Sequence, residues 1–217
     1  MKSVRTILAI AFLSALYTPL AAQDKAADAK DEKPNAKVTE LLTKLAKDID
    51  GAKDVSDDVK AFAKKHILPL CTNKVFIKET KALNDKKMAL DEIKKIDKQW
   101  MDAEEELPIQ KEKMNNDCAK EIKRIAKDIK AMGETFVMDN QGAVGGESAL
   151  TSDYWQGDEP KWSNSYKEGK GGVDFGKVTL DKSTNITDQK VSVPIIADDG
   201  TVIGSICVGV LIDKLKG

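Results

Sequence analysis

Thirteen of the chain's fourteen glycines stand at or beyond Gly133. Glycine costs a helix interior roughly 1 kcal/mol relative to alanine, and it supplies the backbone freedom that tight turns need. The chain is therefore divided: a first part suited to helices, a second part suited to strands and turns. An α+β domain satisfies both.

Apolar spacing fills in this outline. Val38, Leu41, Leu42 and Leu45 recur at helical steps, as do Val59, Phe62, Ala63 and Ile67. Gly51 and Ser56-Asp57-Asp58 separate these two helices, and Pro69 ends the second. Val75 to Asn84 predicts another helix, and Leu90, Ile93, Ile96 and Trp100 predict one more, stopped by Pro108, which starts the next. Cys118, Ile122, Ile125, Ile129 and Met132 then form one stripe on a long helix whose other faces are charged. Beyond Gly133 the pattern becomes strand and hairpin. Thr135 to Met138 and Ala143-Val144 flank a turn at Asp139 to Gly142, and Trp162 to Lys167 is a short helix. Further strands are expected at 173–180, 190–196 and 201–211, with Asp198-Asp199-Gly200 as the last hairpin turn.

The first residues bear on compartment. Lys2 and Arg5 precede an apolar run from Ile7 to Leu16, and Pro19-Leu20-Ala21-Ala22 offers a cleavage site before Gln23. Residues 1–22 thus read as a secretory signal peptide, the competing reading being a retained anchor. The run is shorter than the roughly 20 residues a membrane span needs, and charges interrupt every later apolar run. Residues 23–35 have no apolar periodicity and read as a disordered leader. An exported protein is expected, periplasmic in a Gram-negative source. Losing Lys2 and Arg5 moves the net charge from −1 to −3, which argues against a nucleic-acid partner. Of the three cysteines, Cys71 and Cys118 are the candidate disulfide pair, against three buried or free thiols. His66 is the only histidine and no CxxC occurs, so no zinc site or other cofactor is expected.

Aromatic residues make up 5% of the chain, yet Tyr154, Trp155 and Trp162 fall within the dozen residues TSDYWQGDEPKW. Either they line a pocket or they cap the sheet. Asp153, Asp158 and Glu159 among them read as turn and capping residues.

The order VMDNQGAV, SDYWQGDEPKW, VTLDKS and VSVPIIADDGTVIGSICVGV resembles the Cache (PDC-type) family of extracytoplasmic sensor domains. The resemblance covers about 109 to 215. It implies a PAS-like five-stranded antiparallel sheet behind a long helix, with 36–108 as an added helical segment and 109–217 as the sensor domain. It further implies a small-molecule ligand bounded by Tyr154, Trp155, Trp162 and Tyr166, with Asp181 and Ser183 on the strand side. Aromatic faces would bury the ligand's apolar part while polar groups orient it. The amino-acid-sensing members carry an Arg and a Tyr where this chain has Pro160 and Ser163, and their late-strand Asp falls near Gly209. An ordinary amino-acid ligand is therefore not expected.

The chain carries no G-x-S-x-G, P-loop or H-E-x-x-H motif and no second histidine, so no enzyme is expected. Two functions compete: a ligand-binding sensor reporting to a membrane-bound kinase or chemoreceptor, and a structural or interaction protein whose interior is filled by its own side chains.

Overall fold

The computed structural model describes residues 35–181 and 186–215. The expected signal peptide, the rest of the leader before Asn35, and Ser183 lie outside the described residues. No helix among the described residues is long and apolar enough to cross a membrane.

Helices come first. They are α1 (Ala36–Asp50), α2 (Asp57–Phe62) running on through a π turn and a 3-10 turn to Thr72, α3 (Lys74–Asn84), α4 (Leu90–Met101), α5 (Pro108–Asn115) and α6 (Asp117–Asp128). Ser56 caps α2 and Asn73 caps α3 through their side-chain oxygens, as short polar side chains do at orphan N–H groups. The long helix expected up to Met132 is broken and shorter. Asn116 leaves the helical region at φ −70° and ψ 179°, and its side chain accepts the N–H of Ala119, so one helix ends and α6 begins there. Such a cap is worth about 1 kcal/mol. Met132 opens the first strand instead.

The five strands are β1 (Met132–Met138), β2 (Val144–Glu147), β3 (Asp174–Asp181), β4 (Ile186–Ile196) and β5 (Val202–Leu211), with helix α7 (Pro160–Tyr166) between β2 and β3. They form one antiparallel sheet in the order β2-β1-β5-β4-β3. Strand β5 lies at its centre and is buried along nearly its whole length. Its apolar run VIGSICVGVL matches a strand covered on both faces.

On one face Val137, Val191, Val193, Ile195, Ile206, Val208 and Val210 meet Leu45, Ile49, Ile67, Phe76 and Ile122 from the helices in one continuous core. The helices between 36 and 84 thus share a core with the sheet. Gly146 lets the start of α6 approach β2: a Cβ there would stand 2.6 Å from the Cβ of Cys118. The opposite face is covered by α7.

All three cysteines are free, buried thiols, so the Cys71–Cys118 bridge is not formed. Cys71 lies in the 3-10 turn packed on β4 and β5, whereas Cys118 opens α6, which packs on β1 and β2. Burial raises the pKa of both thiols and pushes Cys207 up to about 11. A thiol reagent should count none of the three before denaturation and all three after it, in samples prepared without reductant. A count of one would restore the bridge.

Candidate functional site

The dozen residues that carry the aromatic anomaly divide between two places. Tyr154 is only 2% exposed, and its ring lies 5.6 Å from that of Trp100 on α4. Asp97, also on α4, accepts the backbone N–H groups of Tyr154 and Trp155 at 2.8 and 2.9 Å. Trp155 donates its indole N–H to Gln141 O, and the Lys94 ammonium stands 4.5 Å above its ring. Ile93, Trp100, Ala143, Val144 and Tyr154 form a small separate core. The space beside Tyr154 is therefore filled by α4.

Trp162 and Tyr166 lie elsewhere, on α7. Their rings stack at 5.2 Å, and Trp162 packs on Phe136, Met138 and Cys207 of the sheet. Pro160 starts α7 at a position where its missing N–H costs nothing, and Ser163 points to solvent. The Trp162 indole donates to Asp139 O at 2.9 Å, and Ser165 bonds to Ser205 on β5. Asp181 closes β3 opposite Ile186.

Beneath α7 the strand registers align a row across the whole sheet: Glu147, Phe136, Cys207, Ser192 and Asp174, one from each strand. Two buried polar atoms in this row have no hydrogen-bond partner, Glu147 Oε1 and Ser192 Oγ. A buried polar atom without a partner costs roughly 1–3 kcal/mol, so each needs an explanation. The other oxygen of Glu147 accepts the N–H and hydroxyl of Thr151 at 3.0 and 2.9 Å. Burial raises the Glu147 pKa to about 7, with the Thr151 donors opposing it and the Glu134 charge adding to it.

The neighbouring row holds charges. Lys190 on β4 reaches across Gly209 on β5 to Glu134 on β1 at 2.5 Å, and it stands 3.3 Å from Asp188. A Cβ at position 209 would lie 3.2 Å from the ammonium and 3.4 Å from the Asp188 carboxylate. The glycine leaves the path open. Burial lowers the Lys190 pKa, but the two carboxylates outweigh it and the net shift is upward. On the α7 side, Lys161 pairs with Glu159 at 2.9 Å and lies 5.5 Å from the centre of the Phe136 ring.

Glu134, Glu147, Asp188, Lys190 and Ser192 were not singled out from sequence. A signal existed in the alternation Asp188, Lys190, Ser192 along one strand, which puts charge on a single face. Among the described residues no group of three or more His, Cys, Asp or Glu is placed to hold a metal ion.

The order β2-β1-β5-β4-β3, with a helical layer on one face and a short helix on the other, is the PAS-like arrangement that the sequence resemblance implies. No family model and no curated protein matches the sequence. Solved structures with a similar course include the sensor domain of the V. cholerae histidine kinase DctB, at 13% identity and a TM-score of 0.45, covering 83% of this chain and 59% of that one. The ligand-binding domain of the Campylobacter jejuni chemoreceptor Tlp3, in complex with 4-methylisoleucine, matches at 16% identity and a TM-score of 0.38, over 83% and 62% of the two chains. That of the Pseudomonas aeruginosa amino acid chemoreceptor PctC, in complex with GABA, matches at 8% identity and a TM-score of 0.33, over 65% and 57%. This chain thus spans about three-fifths of the length of these chains.

Proposed function

We propose that this chain is an exported, non-enzymatic sensor module that binds a small molecule on the α7-covered face of its sheet. One observation carries the reading. Two buried polar atoms without partners, Glu147 Oε1 and Ser192 Oγ, share a row next to the charged Glu134–Lys190–Asp188 group and beneath Trp162. Three strand spacings, about 14 Å, separate the two atoms; a polar group of a ligand at either one would satisfy it, and Trp162 and Phe136 would take the apolar part. The site thus draws on Trp162 from the aromatic stretch and on Tyr166 beyond it, whereas Tyr154 and Trp155 brace it from the α4 side.

The module acts in the periplasm, its signal peptide directing export, and a separate membrane-bound kinase or chemoreceptor reads its state. The ligand shifts the balance between two packings of α7 and the helical layer on the sheet, by as much as it prefers one over the other. His66, the only histidine, packs its ring at a tilt against Phe62 in the helical layer, and catalysis has no nucleophile–base pair to draw on there.

A melting screen of small amines, organic acids and purines tests this. A compound present at 100 times its Kd stabilises the native state by about 2.7 kcal/mol. That raises Tm by roughly 5–11 °C in a chain of this size, and Trp162→Ala should abolish the rise. A second reading, a structural module with no ligand, is favoured by the filled space around Tyr154. It predicts that no compound in the screen moves Tm.

A further inference from the structure

Lys190 is held in an unusual way for a lysine on an inner strand. Its side chain crosses the central strand at the residue that has no side chain, and its ammonium sits between two carboxylates contributed by β1 and by its own strand. The three side chains are neither buried nor free: Glu134 is 33% exposed, Lys190 28% and Asp188 19%. This is an ammonium cage that opens to solvent on one side.

Its charge does not balance. Glu134 and Asp188 face a single ammonium, and Glu147 stands on the same face of the neighbouring strand, close enough for Glu134 to act on it. Of the other nearby cations, Lys161 is engaged by Glu159 and by Gln156 at 2.8 Å, and Lys113, whose charge acts on Glu147, is engaged by Glu112 at 2.9 Å. Two carboxylates around one lysine, with Glu147 Oε1 unpartnered beyond Glu134, favour a further cation over an anion. The aromatic faces of Phe136 and Trp162 beside them suit the same charge.

Resting on the reading of this face as a ligand site, we propose that its ligand is a small amine without a carboxylate, and that Lys190 is a tethered occupant of the amine position. The entering ammonium takes Glu134 and Asp188, and the Lys190 ammonium leaves for solvent along the open side. No bond forms or breaks, and no proton need move. Lys190 is then a competitor built into the chain, and it sets the amine concentration at which the module responds.

The test uses n-butylamine, 1,4-diaminobutane, butanoate and 2-aminobutanoate, titrated calorimetrically into the full chain. One or both amines should bind, and the two carboxylate-bearing compounds should not. Lys190→Met keeps the stem across Gly209 and removes the competitor, so the amine should bind it at least tenfold more tightly. Glu134→Gln should weaken amine binding at least tenfold. Lys190→Met could fold poorly, so the wild type supplies a second readout. Acylation of Lys190 by a mild amine reagent, followed by peptide mapping, should speed up when a tertiary amine such as triethylamine is added. Butanoate binding that Lys190→Met abolishes would overturn the amine assignment and leave the ligand site standing, with Lys190 as its anchor. Amine binding unchanged in Lys190→Met, or Lys190 acylation unaffected by amine, would remove its role as occupant. Silence from every compound in every variant would overturn the ligand site with it.

Discussion

Replacing Tyr154 with alanine is expected to destabilise the chain by about 3–5 kcal/mol, the usual range for emptying a buried aromatic site. In a domain of this size that lowers Tm by roughly 6–20 °C, as a circular-dichroism melt would read. The reason is local. Tyr154 is 2% exposed, leans on Trp100, and belongs to a core that α4 and the residues around β2 build between them. A pocket-lining tyrosine with an empty space on one side would lose far less. A cost below about 1 kcal/mol would therefore contradict the filled layer and return Tyr154 to a ligand wall. Trp100→Ala should behave like Tyr154→Ala, and the double variant should cost less than the two together, because the rings share one contact.

Glu147→Gln should do the opposite, and only at the upper end of the pH scale. The folded carboxyl titrates at about 7, above its ordinary value of 4.5. The folded state therefore holds this proton more tightly than the unfolded chain. Its stabilising contribution is complete below pH 4.5 and is lost as pH rises to about 7, a difference on the order of 3 kcal/mol. Glutamine imitates the protonated form and cannot ionise. The variant should melt about 6–12 °C above wild type at pH 8 and close to it at pH 4.5. Equal melting curves at both pH values would mean that Glu147 is not buried as a charge. An amine ligand should narrow the gap at pH 8, since it supplies the partner that Oε1 lacks.

The sequence carried the sheet well because its signals are local. The turn at Asp139 to Gly142 is closed by the Asp139 side chain accepting the N–H of Gln141 and of Ala143, and Gly200 takes a φ of 87° in the last hairpin. Such chemistry reads directly from neighbouring residues. The break at Asn116 was hidden because a lone asparagine gives no sign of whether it caps or merely faces solvent. The docking of Asp97 on Tyr154 and Trp155 spans 57 and 58 residues and leaves no local trace. The cage was illegible for a different reason. Glu134, Gly209 and Lys190 meet only in one register of three strands, and a shift by one residue would send them to opposite faces. Nothing in the spacing of the aromatic stretch says that Tyr154 turns toward α4 while Trp162, on α7, packs on the sheet.

The central claim, a ligand site on the α7-covered face, has a direct test in the chain's three tryptophans. Each indole N–H has its own carbonyl partner: Thr151 for Trp100, Gln141 for Trp155 and Asp139 for Trp162. A nitrogen–proton correlation spectrum should therefore show three separate indole signals. On titration with the amine that the melting screen selects, the Trp162 signal should move and saturate while that of Trp100 stays in place. Movement of the Trp100 and Trp155 signals with Trp162 unchanged would put the ligand on the α4 side and contradict the account.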